Sequence, residues 1–265
     1  MKKRFPFDFF YMLFAMLLAV IIVHTAYIAV VRPAAEEVRQ GWAARWKIEP
    51  TFAPEPSMMV ILHDREPEAC FILAVWAGFI LGYRWRVLSR ERSQLEHVFV
   101  GLQSGQVVLP GDIRDFSRTL EQLPEPQQRC FLPRALKVVM NRFSATGSIQ
   151  HAANAGRDEC EFEASRLDSE LSLIRFSVWA IPAVGFVGTV RGIGAALQQA
   201  QRAAAGDVTG VTQGLGITFN STLVALSLSI VVMFFLHHLQ LSQDRLILDA
   251  KTYIDEHLIH HLREH

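Results

Sequence analysis

Little in this chain suits an enzyme or a disulfide-stapled secreted domain. Three cysteines in 265 residues, Cys70, Cys130 and Cys160, make no framework. Their spacing fits neither a zinc site nor a redox pair, so they read as reduced structural thiols. Charge of one sign is missing too. With 26 basic and 26 acidic residues the formal net charge is zero, which gives no footprint for nucleic acid. There is no phosphate-cradling glycine loop, no nucleophile elbow and no HExxH, and the reading is of a non-enzyme. Internal repeats and low-complexity tracts are also absent. The most informative absence is local: four apolar stretches contain no Asp or Glu at all.

Those stretches are Phe9 to Val31, Ala69 to Tyr83 (extended through Trp85 to Leu88 if its arginines snorkel), Phe176 to Ala200 and Leu215 to His237. The first, third and fourth reach the roughly 20 residues that a spanning helix needs. The second is short and leaves a buried or re-entrant segment open. Lys2, Lys3 and Arg4 precede the first stretch, but its apolar core is too long for a signal peptide and no small-residue cleavage site stands out, so we read a retained anchor. Arg84, Arg86, Arg90 and Arg92 follow the second, and Arg166 and Arg175 precede the third. Cytoplasmic flanks collect Lys and Arg, so both termini are expected in the cytoplasm. The expected organisation is a tip and first span over 1–31, an outer segment over 32–67, a second span over 68–84 and a cytoplasmic helical domain over 85–175. The third and fourth spans follow over 176–237, joined by a short outer connection at 201–213, and an amphipathic cytoplasmic helix ends the chain over 238–265. The fold class is an all-α membrane protein.

In the outer segment Pro33 follows the first span, Trp42 and Trp46 recur one turn apart at a spacing suited to the headgroup level, and Pro50, Pro54 and Pro56 mark irregular backbone. In the cytoplasmic part, Leu95, Val98, Phe99 and Leu102 predict a helix that ends near Ser104-Gly105, with a turn at Pro110-Gly111. Phe116, Leu120 and Leu123 predict a second helix, broken by Pro124 and Pro126. Leu136, Val139, Met140 and Phe143 predict a third, with Pro133 in its first turn. From Cys160 to Trp179 no Pro or Gly intervenes. The stripe Cys160, Ala164, Leu167, Leu171, Ile174 predicts one continuous helix running into the third span, with Glu161, Glu163, Arg166, Asp168 and Glu170 as its solvated face. In the last helix Ile247, Ala250, Ile254 and Leu258 form the apolar stripe. His257, His261 and Glu264 have a metal-like spacing but sit at the chain end, and are read as surface groups with no metal.

The third and fourth spans carry the unusual residues. Gly185, Gly188, Thr189 and Gly192 share one helix face, and Gly188 and Gly192 form a small-xxx-small pair that lets backbones approach closely in lipid. Pro182 removes a backbone hydrogen bond and can bend the helix. On the fourth span Thr218, Ser221, Thr222, Ala225 and Ser229 form a matching stripe, while Asn220 and Ser227 face a neighbouring helix. Hydroxyls on such a stripe either coordinate water or a small cation, or bond back to their own helix carbonyls. From these residues alone, tight packing and an ion path are both open. Ion pathways in membranes usually use an ionisable side chain. Apart from His237 at an edge, only His24 and Arg191 qualify. Arg191 snorkels, pairs with an acid on another chain or faces a wet cavity. A conducting chain would then draw its carboxylate from a second protein.

The run Ile181-Pro182-Ala183-Val184-Gly185-Phe186-Val187-Gly188-Thr189-Val190 closely resembles a span signature of the MotA/TolQ/ExbB proton-channel family, and Gly210 through Thr218 to Ala225 is similar to that family's last span. The likeness covers about Glu163 to Phe235. It implies a homopentamer in a bacterial inner membrane whose third and fourth spans line a central pore, around a dimer of a single-span MotB/TolR/ExbD-like partner carrying an intramembrane Asp. It further implies a rotary motor driven by protons or sodium ions, with no cofactor besides the translocated ion. By motif match, Thr189 and Thr218 line the ion path, joined by Ser221 and Thr222 of the same stripe, with Pro182 near its cytoplasmic end. Departures are Arg191, at a position often uncharged or aromatic, Ser227 where Pro is frequent, a long 32–67 segment and a short C-terminal helix. Four spans resemble the flagellar stator branch more than the three-span transport branch. The alternative is a non-conducting membrane scaffold.

Overall fold

In the computed structural model the described residues are 7–49, 52, 57–97, 99 and 107–263. All regular structure among them is helical, apart from one isolated bridge between Val108 and Leu262. Four helices are long and apolar enough to cross a membrane. The chain divides into two compact units. One comprises residues 1–82 and 173–236, the other 83–172 and 237–265.

The first unit begins with α1 (Phe7–Ala26), a π-helical turn over Tyr27–Val31 and α2 (Arg32–Ile48). The helix that carries the first apolar stretch runs past Val31 to Ile48. Pro33 is the reason for the π turn. It has no N–H for the carbonyl four residues back, and its ring crowds that carbonyl, so the backbone widens its register locally instead of ending. Trp46 on α2 donates its indole N–H to the Phe52 carbonyl at 2.8 Å, while Pro50, Pro54 and Pro56 lie outside the described residues. After the short α3 (Met58–Leu62) comes α4 (Arg65–Gln94), 30 residues and roughly 45 Å long at 1.5 Å per residue. The second apolar stretch thus lies within one helix long enough to cross a membrane. That helix starts four residues before the apolar stretch because Pro67 falls in its first turn, where the missing N–H has no partner to lose. Among the bonds that tie α1 to α4 are Tyr11 Oη to the Phe79 carbonyl and Trp76 Nε1 to the Met12 carbonyl, each 3.0 Å.

α9 (Ser172–Gln198), the short α10 (Ala200–Ala204) and the membrane half of α11 (Thr209–His257) complete this unit. Its interior is rich in small residues: Ala15, Ala19, Ala77, Ala180 and Ala225 are buried, beside Tyr27, Ile80 and Ile181. Many of its large side chains point outward, with Phe186 67 % and Phe219 68 % exposed. That inversion of the soluble pattern suits lipid and partner helices, where small residues bring backbones together.

The second unit has a conventional core. α5 (Ile113–Glu121), α6 (Glu125–Gln128), α7 (Phe131–Thr146) and α8 (Ile149–Glu170) pack with the end of α11. Phe131, Leu136, Met140 and Phe143 meet Cys160, Ala250, Ile254 and Leu258 in one buried cluster. Gly147, with φ +65°, closes α7 in the left-handed conformation that a Cβ disfavours. Four expectations change here. Leu95 to His97 form a turn and Phe99 a bend in place of the predicted helix; the rest of that segment, with Leu102 and Ser104-Gly105, lies outside the described residues. The long helix through Cys160 to Trp179 is interrupted at Leu171, whose N–H bonds three residues back to the Asp168 carbonyl. Glu163 is not on a solvated face: it is 1 % exposed and held by Arg134 (2.6 Å) and Arg166 (2.7 Å). At the C-terminus α11 ends at His257 and a 3-10 turn spans Ile259–His261, so His257 and His261 lose the helical relation assumed for them. His257 instead stacks on Tyr253 with ring centroids 4.3 Å apart, and Glu264 lies outside the described residues.

Candidate functional site

The hairpin of α9 and α11 is built from the glycine face outward. Gly185, Gly188 and Gly192 are all buried. A methyl group on Gly185 would meet Ala225, one on Gly188 would meet Ser221, and one on Gly192 would meet Thr218 and the Gly214 carbonyl. Each step of three or four residues along α9 is matched by the same step back along α11, so the two stripes read from the sequence face one another in antiparallel register. Absence of Cβ atoms is what lets the backbones meet.

The hydroxyls divide accordingly. Thr218 is buried and donates to the Gly214 carbonyl at 3.1 Å, with the Thr189 carbonyl at 3.4 Å. Ser221 is wholly buried and its Oγ has no hydrogen-bond partner. Thr189 and Thr222 are only partly buried, and each bonds back to its own helix, Thr189 to the Phe186 carbonyl at 2.6 Å and Thr222 to the Thr218 carbonyl at 3.1 Å. Asn220 is partly buried and Ser227 is exposed.

Pro182 has a partner that sequence reasoning missed. Its ring nitrogen leaves the Val178 carbonyl without its helical donor, and Ser229 on α11 donates to that same carbonyl at 2.9 Å. Beside it, the Cys70 thiol of α4 donates to the Ile181 carbonyl at 3.5 Å. The proline turn is therefore clamped from two helices.

The MotA/TolQ/ExbB proton channel family model matches residues 127–252, taking in α7, α8, α9, α10 and most of α11. Residues 127–252 belong to the MotA/TolQ/ExbB proton channel family. No curated protein and no solved structure shows significant similarity to the chain. The match is wider on both sides than the likeness at Glu163 to Phe235. The matched family is a channel and transducer family, and the four long apolar helices are those of a multi-pass membrane protein.

Against that family stretch lie charges from outside it. Arg191, on α9, pairs with Glu66 of α4 at 2.7 Å and has Asp64 at 3.9 Å. It thus has an acid partner within its own chain. Two residues on, Glu68 is buried between His24 of α1 and Arg32 of α2, the latter at 2.7 Å. These acids fall just before the second apolar stretch, so a search of the stretches alone passes over them. The signal that finds them is Pro67, which moves the helix start back to Arg65. Among the described residues no group of three His, Cys, Asp or Glu side chains is placed to hold a metal ion.

Proposed function

We propose that this chain is the ion-channel subunit of a two-component rotary motor in a bacterial inner membrane, passing protons or sodium ions and coupling their flow to mechanical work. Five copies surround a dimer of a single-span MotB/TolR/ExbD-like protein, whose intramembrane Asp binds the moving ion. Thr189, Thr218, Ser221 and Thr222 line the path, Pro182 lies toward its cytoplasmic end, and both termini are cytoplasmic. The observation that carries this reading is the family match laid over a hydroxyl-lined hairpin with no acid on α9 or on the membrane half of α11, residues 209–237. Hydroxyls hydrate and hand on a small cation but do not bind it strongly, so the charge that does the binding belongs elsewhere.

A second reading, a non-conducting scaffold, draws support from one observation: Thr218 and the three glycines are taken up by packing inside the hairpin. The two are separated at the partly buried threonines. A Thr189→Val, Thr222→Val double variant keeps shape and the α9–α11 contact while removing both hydroxyls. With the subunit co-expressed beside its genomic neighbour, the ion path predicts at least a tenfold fall in transport with assembly intact. Unchanged transport sinks the ion path and leaves the scaffold.

A further inference from the structure

We propose that a cleft between α8 and α11 in the second unit binds a small organic phosphate, held by Lys251 and Arg157, independently of any ion path. The half-buried cations of this unit are otherwise answered by acids. Arg84 pairs with Glu170 at 2.6 Å, Arg134 with Glu159 at 2.7 Å, Arg166 with Glu163 at 2.7 Å and Lys137 with Glu121 at 2.6 Å. Lys251 is the exception. It is partly buried, yet among the described residues its ammonium has neither an ion pair nor a hydrogen bond. Taking a charge even partly out of water without a partner is costly. A lysine serving solubility alone would stand fully in water, as Arg245 does on the same helix. Arg157, on the facing wall, also lacks an acid among the described residues; its guanidinium donates to the neutral Asn154 Oδ1 at 2.7 Å.

The cleft between these two cations holds about 440 Å³, within the range of about 300–1,000 Å³ usual for small-molecule sites. Its floor is apolar, lined by Ala153, Cys160, Ile254 and Ile259, of which Cys160 and Ile254 are buried. Beside it a Cβ on Gly156 would lie 3.1 Å from Val139 and 3.5 Å from Ile254. α8 is therefore already tight against α7 and α11 there, and the cleft opens next to a fixed contact. The charges select the ligand's head. A phosphate ester carries about −1.5 to −2 at neutral pH, matching one guanidinium and one ammonium. The planar fork of Arg157 takes two of its oxygens, and Lys251 takes a third as a point charge. The floor selects the body, which is apolar. Asp255 also lines the cleft; it repels a second anionic group and accepts a hydrogen bond from a hydroxyl or amine on that body. Lys251 lies roughly 21 Å beyond His237 along α11 at 1.5 Å per residue, so the ligand is soluble and not a bilayer headgroup.

The test is isothermal titration calorimetry of the full chain in detergent micelles with phenyl phosphate as the probe. Wild-type chain should bind it saturably, and inorganic phosphate, which leaves the floor empty, should bind about tenfold more weakly or worse. Lys251→Gln should weaken phenyl phosphate about tenfold or more, the loss expected of one hydrogen bond to a charged group. Lys251→Arg should retain most of the affinity, and Asp255→Asn should tighten binding by removing a like charge. Exposed Arg245→Gln, outside the cleft, should leave it unchanged. All these positions are at least partly exposed, and a melting curve of each variant checks that it folds. Absence of saturable binding to the wild type overturns the proposal. So does an affinity that ignores Lys251→Gln, or one that falls equally in Arg245→Gln.

Discussion

A single missing methyl decides whether α9 and α11 can meet. At Gly188 and Gly192 an added Cβ would collide with Ser221 and with Thr218 and the Gly214 carbonyl, whereas at Gly194 it meets nothing within 4 Å. Overpacking costs about 1–3 kcal/mol, while an open helical Gly→Ala gains up to about 1 kcal/mol from propensity. Gly188→Ala and Gly192→Ala should therefore destabilise the hairpin in a detergent unfolding titration, and Gly194→Ala should leave it unchanged or stabilise it. Equal behaviour of all three would mean that the glycines do not set the contact. The same reasoning couples Pro182 to Ser229. Ser229→Ala leaves the Val178 carbonyl unpaired, at a cost of about 1 kcal/mol. In a Pro182→Ala background the restored N–H takes that carbonyl, so Ser229→Ala should cost less there. A double-mutant cycle with no coupling would show that the serine does not answer the proline.

At the level of helices, the sequence was readable where one periodicity held and opaque where a partner outside the period intervened. The stripe at Gly185, Gly188 and Gly192 is legible because every third or fourth residue of one helix meets one face. Its match to Thr218, Ser221 and Ala225 is legible for the same reason. The break at Leu171 carries no Pro or Gly to announce it. Glu163 reads as one more surface acid in a charged run, and only its pairing with Arg134 and Arg166 explains its burial. Removing one partner of a buried pair costs about 3–5 kcal/mol, but these arginines are about a third exposed and water screens them. Glu163→Ala should accordingly lower stability by about 2 kcal/mol, measured by denaturant unfolding of the full chain in detergent. A loss no larger than that of exposed Glu161→Ala would sink the pairing argument. At the start of α11, the hydroxyl and amide of Thr209 hold Asp207 below its ordinary carboxylate range. A depressed carboxylate lends stability above its unfolded pKa and loses it as pH falls through the folded one. Amide exchange in this first turn should quicken, beyond its intrinsic pH dependence, only in acid, and an Asp207→Asn chain should lack the transition.

Across the whole molecule the orientation rests on basic flanks, and the burial of its thiols makes that orientation measurable. Cys70, Cys130 and Cys160 are all buried and free. Burial pushes the Cys130 thiol up, with Glu91 adding to the effect, and only a thiolate attacks a maleimide well. Wild-type chains in intact cells should therefore resist a charged, membrane-impermeant maleimide, and a single added cysteine becomes a clean reporter. Ala205, between α10 and α11, and Glu256, near the end of α11, are both exposed and fall on opposite sides of the membrane if the termini are cytoplasmic. Ala205→Cys should label in intact cells, while Glu256→Cys should label only after the membrane is opened. The reverse pattern would invert the chain.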